Sequence, residues 1–341
     1  MKKILAIDGG GIRGIVPAMI LTRIEEQMKK PIAQLFDLIA GTSTGGIIAL
    51  GLTKPHPQDK QRPHYAAQKL VELYRDNGAQ IFKEKTWKKI MSLGYTADEK
   101  YTADGIEAML NNYFGNTKIS EALVETMITA YEIEKRSNHF FKRSTARNNI
   151  GDDYYMRDVA RATSAAPTYF EPAKVKSLDK NSINEYYALI DGGMVANNPA
   201  MCAYVEAKKL FGDQEELMLV SLGTGNSFRQ FKYKKARNWG LIEWAKPIID
   251  IMFDAVNNST DHQLNVLLNR GKSGKDRRYF RIDAGIRIES QNDLDNSTPD
   301  NIKSLIDFSE DIIETFSMKF GYIPQICELL EKASSSSSPQ S

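Results

Sequence analysis

Five short apolar, β-prone runs recur along the chain: Ile4 to Ile7, Leu35 to Ala40, Met127 to Ile133, Tyr186 to Ile190 and Leu217 to Leu222. Runs of this length read as buried strands. Between them the apolar positions change to a helical period. Met19, Ile20, Ile24 and Met28 fall on or near one face of a helix predicted over Ile15 to Met28, and Ile47, Ile48 and Leu52 open another behind Ser43. Strands separated by longer helical patterns predict an α/β fold, a mainly parallel central sheet flanked by helices.

The remaining pattern sets the organisation. Thr53 to Pro63 carries three prolines and reads as a loop, and residues 64–114 read as a helical insertion with a basic stretch, Lys83 to Lys89, around Trp87. Asn198-Pro199 predicts an N-cap and first helical position for a helix through Leu210. Further helices are predicted from Trp239 to Leu268 and from Pro299 to Phe320. We therefore expect a catalytic core over residues 1–225, a helical elaboration over 226–332 packed on it, and a disordered Ser-rich tail over 333–341. No internal repeat is evident.

Composition narrows the partners. A chain of 341 residues, 42% hydrophobic, can bury a sizeable core. A formal net charge of +2 gives no global bias toward DNA or RNA, so an anionic partner must be met locally. Cys202 and Cys327 lie far apart without metal spacing, which suits a reducing compartment and core packing. Met1-Lys2-Lys3 resembles the start of a signal peptide, but Asp8 interrupts the apolar run behind it. No stretch approaches the roughly 20 apolar residues that span a bilayer. The expected location is cytoplasmic, with any membrane contact peripheral, at the inner face.

Candidate chemistry begins at residues 8–14, "DGGGIRG", directly after the first apolar run. Gly9, Gly11 and Gly14 satisfy G-x-G-x-x-G, the dinucleotide fingerprint, which expects an acid about 20 residues on to hold a ribose. Asp37 lies in the right region, but mid-strand in this reading. The alternative is a loop whose Gly9, Gly10 and Gly11 N–H groups stabilise a transient oxyanion near a helix N-terminus. Arg13 either adds positive charge there or is a solvated residue of the first helical turn.

Residues 41–46 read "GTSTGG", so Gly41, Ser43 and Gly45 form G-x-S-x-G between a strand and a helix. A serine on such a sharp turn has its Oγ exposed, the context of a nucleophile elbow; the bland reading is a glycine-rich packing turn. A serine hydroxyl needs a neighbouring base. Among four histidines, His56, His64 and His139 read as surface or structural; His262 follows Ser43 and Asp191 in α/β-hydrolase order but sits inside a helical pattern. The stronger candidate is Asp191, in "IDGG", where Gly192 and Gly193 leave room for substrate. A carboxylate with its ordinary pKa near 3.9 is a weak base, so it needs burial and a direct hydrogen bond to Oγ. From "DGG" alone, a turn aspartate capping the following chain is the better reading.

"DGGGIRG", "GTSTGG" and "DGG", in this order, resemble the patatin-like phospholipase family. The similarity continues through "ARATSAAPTYFEP" at 160–172, "DGGMVANNPA" at 191–200 and "VSLGTG" at 220–225, roughly the first two thirds of the chain. The resemblance implies a patatin-like α/β/α sandwich with helical cap insertions and a serine acyl hydrolase of the carboxylic ester class acting on membrane phospholipids. In it Gly9, Gly10 and Gly11 form the oxyanion hole, Ser43 is the nucleophile and Asp191 its only catalytic partner. The family's third motif ends in glycine or alanine; here it is glycine. No metal or cofactor is implied. The stretch from Ser227 to Val256 also resembles bacterial patatin-like enzymes, including cyclic-nucleotide-activated phospholipases of antiphage defence. There Arg229, Lys232, Lys234, Lys235 and Arg237 alternate with Phe228, Phe231 and Tyr233 ahead of Trp239 and Trp244. It reads as a membrane-surface segment, a holder of a regulatory anion such as a cyclic nucleotide, or a solvated basic loop. A nucleotide-binding α/β protein and a non-catalytic patatin-like scaffold remain the alternatives.

Overall fold

A computed structural model of the chain describes residues 1–81, 102–227, 230–272, 274–286 and 288–335. The basic stretch Lys83 to Lys89, together with Phe228, Arg229 and the end of the Ser-rich tail, lies outside the described residues. The strands are β1 (Lys2–Ile7), β2 (Leu38–Thr42), β3 (Glu125–Glu132), β4 (Ser137–Lys142), β5 (Ala173–Val175), β6 (Tyr187–Asp191), β7 (Leu217–Leu222), β8 (Asn226–Ser227), β9 (Tyr279–Ile282) and β10 (Gly285–Ile286). The central sheet runs β5-β6-β3-β2-β1-β7-β9, with β4 also paired to β3, while β8 and β10 pair separately.

Neighbours from β3 through β2, β1 and β7 to β9 are parallel. The other edge is antiparallel, with β4 and β6 both paired to β3 and β5 paired to β6. Of that edge, the run Tyr186 to Ile190 anticipates β6, but β4, Ser-Asn-His-Phe-Phe-Lys, escapes the sequence pattern because it has no continuous apolar run. Leu35, Phe36 and Asp37 all fall before β2, so Asp37 is not mid-strand but just ahead of its first residue. There Asp37 accepts a hydrogen bond from the Lys3 N–H at 2.8 Å and pairs with Lys2.

The helices are α1 (Ile15–Met28), α2 (Thr44–Thr53), α3 (Ala67–Ile81), α4 (Ala103–Phe114), α5 (Arg143–Ala146), α6 (Met156–Thr163), α7 (Gly193–Ala196), α8 (Ala200–Phe211), α9 (Tyr233–Ala236), α10 (Leu241–Asn269), α11 (Pro299–Glu314) and α12 (Tyr322–Ser335). α1 has the span its periodicity predicts. α8 begins one residue later than expected, with Asn198 Oδ1 accepting from the Ala200 N–H at 3.0 Å. α11 ends at Glu314 and passes into a π turn over Thr315–Lys319, so the predicted helix to Phe320 changes its hydrogen-bond register.

Alternation along β1 sorts the core into two layers. Leu5 and Ile7 pack with Ile20 of α1, Ile48 of α2, Leu70 of α3 and Leu305 of α11. Ile4 and Ala6 pack with Ala203 of α8 and Leu264 of α10. Residues 226–332, expected to be helical, also place β9 in the central sheet; Tyr279-Phe280-Arg281-Ile282 is too short a run to stand out in sequence. Arg281 donates to Asp8 at 2.6 Å, to Asp283 at 2.7 Å and to Ser221 Oγ at 2.8 Å, tying the ends of β1, β7 and β9 together. Burial pushes the Asp8 carboxyl up to about 7 against the opposing pull of Arg281. Removing one member of a buried ion pair strands the other. Arg281→Ala should therefore lower unfolding stability by about 3–5 kcal/mol, measured by urea denaturation.

Candidate active site

The carboxyl ends of the parallel strands carry the candidate residues, where open α/β sheets bind ligands. The glycine loop follows β1, Ser43 follows β2, Thr224 follows β7 and Asp283 follows β9. Asp191 arrives differently. β6 runs antiparallel to β3, with Asp191 opposite Ala130, and the neighbouring Thr129 of β3 is opposite Thr42 of β2. Register thus places Asp191 two strands from Ser43 at the same level of the sheet.

Ser43 has a φ of +53°, a conformation a serine adopts only when its surroundings impose it. Its N–H donates to Thr163 Oγ1 at 2.8 Å. Gly41 and Gly45 permit the turn: a Cβ on Gly41 would meet the Gly45 carbonyl oxygen at 2.2 Å, and one on Gly45 would meet that of Ile7 at 2.2 Å. α2 can then begin directly against the sheet. The Ser43 hydroxyl donates to Asp191 Oδ2 at 2.6 Å, while Asp191 Oδ1 accepts the Gly193 N–H at 2.7 Å. Gly192 packs on Thr129, where a side chain would collide with backbone. Asp191 is buried, and desolvation raises its pKa to about 6 although both hydrogen bonds pull it down. This is a carboxylate close to proton balance near neutrality, already bonded to a serine hydroxyl.

The glycine loop divides its duties. The Gly9 N–H donates to the Asn197 carbonyl at 3.1 Å, so Gly9, expected as an oxyanion donor, is committed elsewhere. Gly10 and Gly11 line the pocket beside Ser43. Gly11 has a φ of +58° and lies so close to Leu294 that a Cβ would sit 2.1 Å from its carbonyl oxygen. Arg13 is buried rather than solvated, with its guanidinium donating to the Gly10 and Gly225 carbonyls at 3.4 and 3.2 Å. It braces the back of the loop. A pyrophosphate reading fits poorly, because Asp37 lies at the opposite end of its strand and Asp8 lies under the loop.

None of the histidines lines this pocket. His262 is exposed on α10. His139 is packed among Phe141, Tyr154 and Tyr187, where burial lowers its pKa to about 4. The pocket itself is apolar, walled by Ile47, Tyr74, Ile81, Ile106, Phe170 and Phe253, with about 610 Å³ of space counted to its open mouth. Tyr74, Ile81 and Ile106 come from α3 and α4, so the helical insertion roofs the site. Thr163, Phe253 and Leu294 went unassigned in the sequence. Thr163 sits within "ARATSAAPTYFEP", but nothing local marks Phe253 or Leu294. Among the described residues, no group of three His, Cys, Asp or Glu side chains is placed to hold a metal ion.

A family model for patatin-like phospholipase matches residues 5–204. The chain belongs to the patatin-like phospholipase family. Patatin-like protein 2 of Oryza sativa subsp. indica is 30% identical over 92% of this chain and 84% of that protein. Patatin-like protein 2 of Arabidopsis thaliana is 32% identical over 91% of this chain and 82% of the relative. Among solved structures, VipD from Legionella pneumophila corresponds loosely, with a TM-score of 0.39 and 11% identity over 92% of this chain and 67% of that one. Similarity thus extends past the first two thirds of the chain. Both relatives are plant proteins and lend no support to a bacterial antiphage subset. Family membership implies a lipid acyl hydrolase, an enzyme of the carboxylic ester hydrolase class.

For this patatin-like chain, removing the acceptor of the Ser43 N–H tests the elbow. Leaving a buried donor unsatisfied costs about 1–3 kcal/mol. Thr163→Val should lose stability of that order by chemical denaturation, whereas Thr163→Ser should retain most of it.

Proposed function

We propose that the protein hydrolyses fatty acyl esters of membrane glycerolipids through a Ser43–Asp191 dyad. The observation that carries this reading is the 2.6 Å hydrogen bond from Ser43 Oγ to Asp191 Oδ2, made in the wall of an apolar pocket. Ser43 Oγ attacks the ester carbonyl as Asp191 takes its proton. The N–H groups of Gly10 and Gly11 stabilise the oxyanion, and Asp191 returns the proton to the departing alcohol of the lyso-lipid. Water then attacks the acyl-enzyme as Asp191 takes its proton, and Asp191 passes that proton to Ser43 Oγ as the fatty acid leaves. The apolar pocket holds the acyl chain. A non-catalytic scaffold would have no need of a strained serine bonded to a buried carboxylate.

Contact with the membrane is proposed through α10. Leu241, Trp244, Ile248 and Ile251 recur at helical spacing and are all exposed, Leu241 to 93%. Lys232, Lys234, Lys235 and Arg237 lie just before them, also exposed. An apolar stripe beside a basic segment suits an anionic lipid surface. No helix among the described residues is long and apolar enough to cross a membrane. The chamber beside the site is lined by carboxylates, which repel phosphate, so the cyclic-nucleotide activator expected from the resemblance has no evident place there.

Ser43→Ala and Asp191→Asn should each lower release of fatty acid from mixed phospholipid vesicles by about a thousandfold or more, since members of such a unit act together. Wild-type release matching that of Ser43→Ala would overturn the reading. Because Asp191 must be ionised to accept the proton and its pKa is about 6, kcat/KM should fall as pH drops through about 6 and level off above it. Leu241→Glu together with Ile248→Glu should reduce sedimentation with phosphatidylglycerol vesicles at least about tenfold, with helix content by circular dichroism unchanged.

A further inference from the structure

The turn between the base and the glycine loop is held from outside the sheet. α7 follows Asp191 closely, and its first residue, Gly193, donates the N–H that fixes Asp191 Oδ1 at 2.7 Å. Four residues on, the Asn197 carbonyl accepts the Gly9 N–H at 3.1 Å. The Asn197 side chain also stands against Gly9, where an added Cβ would lie 2.5 Å from its Oδ1 and 3.2 Å from Ser43 Cβ. One turn of helix thus carries a contact of the base at one end and those of the glycine loop at the other.

α10 packs on α7. At Gly193 the Phe253 ring occupies the place a side chain would take, since an added Cβ would stand 3.0 Å from two of its carbons. At Asn197 the side-chain amide donates to Asn257 Oδ1 at 3.2 Å. Phe253 and Asn257 are four residues apart, so they share one face of α10 as Gly193 and Asn197 share one face of their turn. That face continues through Thr260, Leu264 and Leu268, all buried. Its far end is tied to β9: Asn269 Nδ2 donates to the Tyr279 carbonyl at 2.9 Å, and Asn269 Oδ1 accepts from the Arg278 and Tyr279 N–H groups at 2.9 and 3.0 Å. Periodicity favours an apolar residue at position 257, and an asparagine there costs desolvation unless its amide is bonded. The bond it makes goes to the residue that braces the glycine loop.

We infer that Phe253 and Asn257 are positioning residues of the hydrolase, a clamp on α10 that sets the Asp191 carboxylate and the glycine loop in one geometry against Ser43. The inference rests on the hydrolase reading for its catalytic meaning, while the clamp itself is a property of the fold. Phe253 acts on the base through Gly193, and Asn257 acts on the loop through Asn197. A loosened turn lets Asp191 Oδ2 drift from Ser43 Oγ and the Gly10 and Gly11 N–H groups drift from the oxyanion, and a misplacement of about 1 Å costs about a hundredfold in rate. Phe253 also walls the Ser43 pocket, whereas Asn257 lies outside it, so Asn257 gives the cleaner test.

The test measures kcat and KM for 4-nitrophenyl butyrate, a soluble ester. Asn257→Leu and Asn257→Ala should each lower kcat about tenfold or more while KM stays within about twofold, the signature of an interaction felt in the transition state. Because Asn257 acts through Asn197, the Asn197→Ala, Asn257→Ala double variant should lose no more than Asn197→Ala alone. Hydrogen exchange read by mass spectrometry follows the clamp without turnover. Exchange of the segment holding Gly9 should quicken at least about tenfold in Asn257→Ala, and that of the segment holding Gly193 in Phe253→Ala, with exchange in α1 unchanged. Wild-type kcat in the Asn257 variants, additive losses in the double variant, or unchanged exchange at Gly9 and Gly193 each overturn the clamp. Should wild type turn over the ester no faster than Ser43→Ala, the hydrolase reading fails while the exchange comparison still decides the clamp.

Discussion

The register of three strands governs the rest of the molecule's design. Ser43 and Asp191 are separated by 148 positions in the chain, yet their side chains meet at 2.6 Å. They meet because Thr42 and Asp191 stand opposite adjacent residues of β3. A slip of one residue in either pairing would turn one partner to the far face of the sheet. The hydroxyl pair Thr42 and Thr129, at 2.7 Å, helps hold that alignment. The antiparallel turn of β6 matters for the same reason, since a parallel strand would deliver its last residue and the following glycines in a different direction.

Charge is distributed around this alignment with one sign dominant. Arg281 gathers Asp8 and Asp283 at the ends of β1 and β9, and Arg13 is directed to carbonyl oxygens rather than to a ligand. The glycine loop, with Gly10 and Gly11 lining the Ser43 pocket, adjoins a wall of carboxylates that would disfavour a permanent phosphate. The same electrostatics separate an apolar space from a polar one on either side of the shared wall of Tyr169, Asn197, Phe253 and Leu294. An ester with a fatty chain on one side and a polar head on the other matches that division.

Much of this was legible from local signals. The five strand runs, the span of α1, and the strand-to-helix contexts of Ser43 and Asp191 follow from periodicity and glycine placement, which are short-range effects. What was misread needed partners distant in sequence. Gly9 resembles its neighbours in sequence, but Asn197 claims its N–H. Arg13 resembles a surface residue on the first helical turn, but the chain near Gly225 covers it. β4 and β9 have no pattern of their own and exist because β3 and β7 offer edges.

The sequence alone determined the α/β class, the glycine loop, the serine elbow and the candidate aspartate, because each is written in residues that are neighbours along the chain. Tertiary structure decided which N–H groups remain available, that Ser43 bonds to Asp191 while His262 stays exposed on α10, and that Phe253 and Leu294 wall the pocket. Those facts depend on register, burial and charge brought together from both ends of the chain, and no local stretch encodes them.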